Sequence, residues 1–310
     1  MRAAIAHVLS LIVVVGVAAS AADRPPEALS LLGAPLFAPA LSPDEQRERE
    51  GRLAEARAAH DTDPGNADAT IWLGRRLGYL GRFREAVDTF SRGIELHPRD
   101  ARLYRHRGHR QITLRRFDLA VRDLEAAVRR IEGTADEIEP DGLPNARNVP
   151  TSTLHFNVWY HLGLAHYLSG EFERAQDAYR RCHAASKNPD SLVATTHWLY
   201  MTLRHLGRDR RADKLLEPIR ADLDVIESQD YLRLLRMYKG EIAPADLVGD
   251  ATSTSRATLG YGLANWHFVH GRREEALAEL RRVVEAGPWP AFGATAAEAD
   301  LARLTRAPQP

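Results

Sequence analysis

A single cysteine, Cys182, occurs in 310 residues. That excludes an internal disulfide framework and any zinc site built on several thiolates. Lysine is nearly as scarce: Lys187, Lys214 and Lys239 are the only three, so arginine supplies almost all of the 42 basic side chains. These balance 42 acidic ones to a net charge of zero, whereas an obligate nucleic-acid binder is usually basic overall. Beyond residue 21 no stretch is apolar enough to cross a bilayer. G-x-S-x-G, a P-loop, a Rossmann glycine pattern and H-E-x-x-H are all missing, so no enzyme is expected. Thirteen histidines are present, with His106/His109 and His267/His270 as i,i+3 pairs and His161/His166 close on a helix. None has a third ligand at a convincing spacing, so neither a metal nor a cofactor is expected.

What is present begins with an address. In residues 1–21 Arg2 is a short basic region, Ala3 to Val17 is largely apolar, and Ala19-Ser20-Ala21 is a small-x-small cleavage site. This is the pattern of a secretory signal peptide. The competing reading is an uncleaved membrane anchor, for which the apolar run is short. Cleavage would leave 41 basic and 42 acidic side chains, a net of −1, on a chain without stable membrane insertion. A bacterial protein exported to the periplasm or secreted is expected. With 44% apolar and 27% charged residues, the remainder has globular composition.

The middle of the chain repeats itself. Gly74, Gly108 and Gly163 fall at one position, Phe83, Phe117 and Phe172 nine residues later, Ala86, Ala120 and Ala175 three after that, and Phe90, Leu124 and Tyr179 four further on. The first two copies are 34 residues apart. Small residues let paired helices approach, and the aromatic fills the space between neighbouring hairpins. This pattern resembles the tetratricopeptide repeat, whose 34-residue unit is a helix–turn–helix, and the whole chain resembles bacterial exported proteins of that family.

The resemblance implies an all-α, right-handed superhelical α-solenoid of about five hairpins over 67–290. The second unit departs from the pattern at Arg107 and Glu132. A fourth, degenerate unit has Tyr200 in place of the glycine and Asp209 in place of the aromatic; a fifth is legible at 258–288. Around the array are expected an extended arm at 22–41, a capping helix at 42–66 opened by Ser42-Pro43-Asp44-Glu45, a loop insertion at 133–153, an extra helical segment at 228–256 capped by Ser228, and a capping helix and tail at 291–310. Cys182-His183 suggests a thiol nucleophile, but Cys182 occupies the repeat's small-residue position and reads better as a buried, inert thiol.

The family's concave positions map onto Arg75, Tyr79, Arg102, Arg105, His109, Asn157, Tyr160, Tyr167, His197, Met201, Arg204, His205, Tyr261, Asn265 and Phe268. The set is basic and aromatic with no acid. Such a groove suits an extended peptide bearing acidic or C-terminal carboxylate groups. The bland alternative is a solvated arginine-rich helix face. Residues 101–130 carry nine Arg against three acids, and the loop that follows carries Glu137, Glu139 and Asp141, then Asn145, Arg147 and Asn148. It is expected to fold back over the second unit as plug or groove wall; a solvated linker is the alternative.

The expected function is therefore a non-enzymatic, exported scaffold that binds a protein or peptide in a groove gated by this loop. A rival from another class is a small-molecule or enzyme-like site between the loop and the third and fourth units, where Asn145, Arg147, Asn148, His161, His197 and Tyr200 would converge. A homodimer through an end helix is a third reading.

Overall fold

The computed structural model describes residues 25–249 and 251–305. The signal segment and the last five residues of the tail lie outside the described residues. Thirteen α-helices follow a short N-terminal hairpin: α1 (Pro43–Thr62), α2 (Ala67–Tyr79), α3 (Phe83–Leu96), α4 (Ala101–Thr113), α5 (Phe117–Ile131), α6 (Leu154–Leu168), α7 (Phe172–Ala185), α8 (Pro189–His205), α9 (Asp209–Leu216), α10 (Gln229–Tyr238), α11 (Ser253–Val269), α12 (Arg273–Ala286) and α13 (Phe292–Thr305). Successive helices pack as antiparallel pairs, α2 with α3, α4 with α5, α6 with α7, α8 with α9 and α11 with α12, and neighbouring pairs stack. This is an α-solenoid of five hairpins.

The repeated residues are where the hairpins close. At Gly108 a Cβ would lie 2.8 Å from Leu124 Cγ, at Gly163 it would lie 2.7 Å from Tyr179 Cε1, and at Gly74 it would collide with Phe90. Ala86, Ala120 and Ala175 are fully buried at the matching place on the second helix. Arg107, one of the second unit's departures, is matched by Asp123 across the hairpin at 2.6 Å. Caps set the ends. Ser42 and Glu45 form a capping box on α1 with Pro43 in its first turn, Thr153 caps α6, and Asn188 with Ser191 caps α8.

Two local expectations are replaced. The arm contains a two-stranded antiparallel hairpin, β1 (Ala28–Leu29) with β2 (Pro35–Leu36). Its turn is closed by Ser30, whose Oγ accepts from Ala34 N at 2.9 Å, and by Gly33 at φ 90°. Ser228 makes no side-chain cap on α10. Instead the buried Asp190 carboxylate, in the first turn of α8, accepts the N–H groups of Ile226, Glu227 and Ser228 at 2.7–3.1 Å. It binds the extra helix to the fourth hairpin.

The array also curls far enough to meet itself. Helix α13 packs on α11 and α12, as an end cap should, and reaches across to α6. Phe292 at its start lies 5.3 Å from the His109 ring of α4 and 5.6 Å from the His161 ring of α6. Arg115, at the α4–α5 turn, pairs with Glu298 of α13 at 2.8 Å, both side chains under 5% exposed. The arm covers this joint: Leu31 N donates to Glu298 at 2.5 Å, and Phe37 O accepts from the Trp289 indole at 2.7 Å.

Candidate functional site

Closure of the array divides the residues expected in the groove into two groups. Tyr160, Tyr167, His197, Met201, Tyr261 and Asn265 are buried. Tyr160 Oη accepts from the Trp198 indole at 2.7 Å, and Tyr167 Oη lies 2.7 Å from Tyr261 Oη, which reaches the Asp300 carboxylate of α13 at 2.8 Å. Asn265 donates to Tyr167 at 3.0 Å. His197 stacks on Tyr231 and Tyr238, and burial holds its imidazole down to about 3. His205 stacks on Phe172 at 4.3 Å, beside Phe268 and a small apolar cavity. Arg204 pairs with Asp209 at 3.1 Å. Arg102 pairs with Asp100 and Asp68, which hold its guanidinium above the usual range, and it lies on an outer groove with Glu137.

The second group converges. Arg75 and Tyr79 of α2, Arg105 and His109 of α4, and Glu139 and Asp141 of the loop line one cavity of about 190 Å³ beneath residues 139–141 and 151–152. The α2 and α4 side chains meet because they occupy corresponding first helices of adjacent repeats. The loop is brought over them by its own pairing. Ile138 bridges Thr153 in antiparallel fashion, and Glu139 N donates to Ser152 O at 3.1 Å. Arg76 donates to Gly142 O at 2.8 Å, and Gly142 lies so close to Tyr79 that a Cβ there would collide with its ring.

Glu139 is the electrostatic centre of this contact. Its Oε1 is 3.0 Å from Arg105 Nη2, each side chain 9% exposed, and 3.7 Å from His106 Nε2. Its Oε2 accepts from Asn157 Nδ2 at 3.0 Å. Among the described residues Arg75 reaches the Tyr79 hydroxyl, at 3.2 Å, and the face of Trp72, at 4.5 Å, and no carboxylate. Arg110 Nη2 lies 2.7 Å from His109 Nε2, and its guanidinium is 5.5 Å from the Phe83 ring. Burial pushes Arg110 down to about 10, and burial likewise lowers Arg105 against the opposing pull of Glu139. His106, His109 and His161 are held well below the ordinary imidazole range, by burial first and by the neighbouring guanidinium groups second. The histidines are therefore neutral donors and acceptors, and the positive charge of the cavity belongs to arginine.

Asn145, Arg147 and Asn148 are not among the residues that line the cavity. Asn145 donates to Glu227 at 2.5 Å, Arg147 pairs with Asp224 at 2.8 Å, and Asn148 sits at φ 51° in their turn. His161 and His197 are buried in separate ring stacks and do not join Asn145 and Arg147. Two lining residues, His106 and Arg110, are missing from the expected concave set because each is one place past an expected concave position. A long side chain one step round the helix still reaches the cavity. Among the described residues no three His, Cys, Asp or Glu side chains form a metal-binding group, and no helix is long and apolar enough to cross a membrane. Burial pushes the Cys182 thiol up to about 12, with its Sγ 3.1 Å from Thr195 Oγ1.

No curated protein matches the chain significantly. Among solved structures, a tetratricopeptide repeat protein from Parabacteroides merdae is 13% identical with a TM-score of 0.46, over 82% of this chain and 99% of that one. YrrB, described as a TPR protein with an unusual peptide-binding site, is 14% identical with a TM-score of 0.43, over 77% and 95%. BtubC from P. vanneervenii is 17% identical with a TM-score of 0.42, over 86% and 94%. The tetratricopeptide repeat family model matches residues 156–189, the α6–α7 hairpin. The small and aromatic contacts of that hairpin recur in its neighbours along the stack, so the chain carries a tetratricopeptide repeat at 156–189 within an α-solenoid of similar hairpins.

Proposed function

We propose that the protein is an exported scaffold that holds an acidic segment of a protein partner at the opening between its first two repeats and the 133–153 loop. One observation carries the reading: Arg75, Arg105 and Arg110 converge on a cavity whose only deeply buried carboxylate is Glu139. Of the other acids lining it, Glu227 is exposed and bonded to Asn145 and Thr151, and Asp141 accepts from Leu143 N in its own turn. Guanidinium forks suit carboxylates, and the tetratricopeptide fold typically serves protein–protein interaction. Because α13 fills the concave face further along, the partner meets the first two repeats rather than a groove running the length of the array. Export is supported by the pattern of residues 1–21 and is checked by N-terminal sequencing of protein recovered from the cell envelope.

The test is fluorescence anisotropy with a labelled Asp/Glu-rich decapeptide and its Asn/Gln counterpart. The acidic peptide should bind the wild type, weaken with added salt, and bind the Arg75→Glu variant about ten-fold or more weakly, as reversing one charge contact implies. Equal binding of both peptides, or an Arg75→Glu variant indistinguishable from wild type, would contradict the reading.

A further inference from the structure

We propose that the cavity beneath the loop is a binding site for a compact dianion of the phosphate type, presented free or as a phosphomonoester. The proposal concerns the same opening as the partner reading and rests on it only in taking that opening to be accessible to a ligand.

Charge is the first argument. Three guanidinium groups, Arg75, Arg105 and Arg110, line the space, and Glu139 supplies one buried negative charge against them. Asp141 and Glu227 also line the space, but Asp141 accepts from Leu143 N and the exposed Glu227 is bonded to Asn145 and Thr151, so Glu139 is the one lining carboxylate in ion-pair contact with these arginines. Excess buried charge is costly without a counter-ion.

Unsatisfied donors are the second argument. Arg105 is 7% exposed, lines the cavity, and its Nε is buried with no hydrogen-bond partner. Arg75 has no carboxylate within ion-pair distance among the described residues; its Nε and Nη2 share the single Tyr79 hydroxyl at 3.4 and 3.2 Å. A buried donor without an acceptor costs about 1–3 kcal/mol, so the orphaned Arg105 Nε marks the place of an absent acceptor, with the Arg75 guanidinium free of any carboxylate beside it.

Size and valence select among anions. The space of about 190 Å³ is well above the roughly 10–15 Å³ that one water needs on the same measure. It has room for a tetrahedral anion together with ordered waters. A carboxylate brings one charge and two oxygens. A phosphate dianion brings nearly two charges and three or more acceptor oxygens, enough to engage three guanidinium groups from different directions. Glu139 is then an internal occupant, holding Arg105 in the ligand's absence and competing with the anion that enters.

The test is titration calorimetry of the protein with inorganic phosphate and with phosphoserine, at constant ionic strength, with chloride as the reference salt. Saturable binding is expected, about ten-fold weaker in Arg75→Gln and several-fold tighter in Glu139→Gln, where the competing charge is gone. Thermal melts without phosphate establish that each variant is folded. Should Arg75→Gln fail to fold, the gain of affinity in Glu139→Gln decides alone, since a purely structural Glu139 would give no tightening. Binding of phosphoserine but not phosphate identifies an ester as the source, and the reverse identifies the free ion. Absence of saturable binding to both, or affinity unchanged in both variants, overturns the proposal. Acidic peptides bound without phosphate would sink this inference and spare the partner reading; phosphate bound without acidic peptides would do the opposite.

Discussion

His197 is 1% exposed and carries no acidic neighbour to hold a proton. Its imidazole is depressed to about 3 in the fold and titrates near 6.5 when unfolded. The unfolded chain therefore binds the extra proton first. The stability this residue contributes is complete above pH 6.5 and is lost as the pH falls toward 3. His106, His109 and His161 shift in the same direction. Unfolding free energies from urea melts should fall between pH 7 and pH 5, by on the order of 1–2 kcal/mol for His197 alone, and a His197→Phe variant should lose that share of the slope. A midpoint independent of pH over that range would contradict the buried, neutral assignment. At this scale the sequence is partly legible. Arg75, Tyr79, Arg105 and His109 are found because they occupy the inward positions of first helices, and Glu139 because acids follow the most basic repeat. His197 and Met201 stand at inward positions too, yet they are core, because a repeat register says which way a side chain points and not what later packs on it.

Among the elements, the hairpin turns tell most. Gly81, Gly170, Gly207 and Gly271 each take a positive φ of 66–79° just after the first helix of their units. In the second unit that place belongs to Arg115, at φ 62°, a left-handed conformation that costs a residue with a side chain about 1–2 kcal/mol. Its side chain explains the exception: Arg115 forks onto Glu298 at 2.8 and 3.2 Å, donates to Trp289 O at 2.9 Å, and lies 5.2 Å from the Trp289 ring. Arg115→Gly relieves the backbone but leaves Glu298 buried and unpaired, a loss of about 3–5 kcal/mol. The loss is the larger effect, so the variant should be less stable by about 2–3 kcal/mol, and adding Glu298→Gln should recover part of it. Denaturant melts in which Arg115→Gly matches or exceeds the wild type would show that the pair contributes nothing. The hairpins themselves are readable from local recurrence of Gly, aromatic and Ala. The turn-to-helix pairing is not, because residues so far apart in the chain leave no periodic trace.

For the molecule as a whole, the difference between an open trough and a closed superhelix decides where a partner can sit. The tetratricopeptide pattern implies the stack but not its curvature, which follows here from contacts that Trp289 and α13 make with the first three hairpins and that the arm makes with Trp289. With the array closed, the tyrosine-rich interior is core, and the ligand site proposed above is the basic cavity under the loop. Pulsed electron–electron double resonance between nitroxides at Arg116→Cys and Glu285→Cys, both exposed, reads this directly. The buried Cys182, its thiol held protonated, stays in place. One short, narrow distance distribution is predicted; a long or broad one would mean the ends of the array stand apart, and would contradict the account.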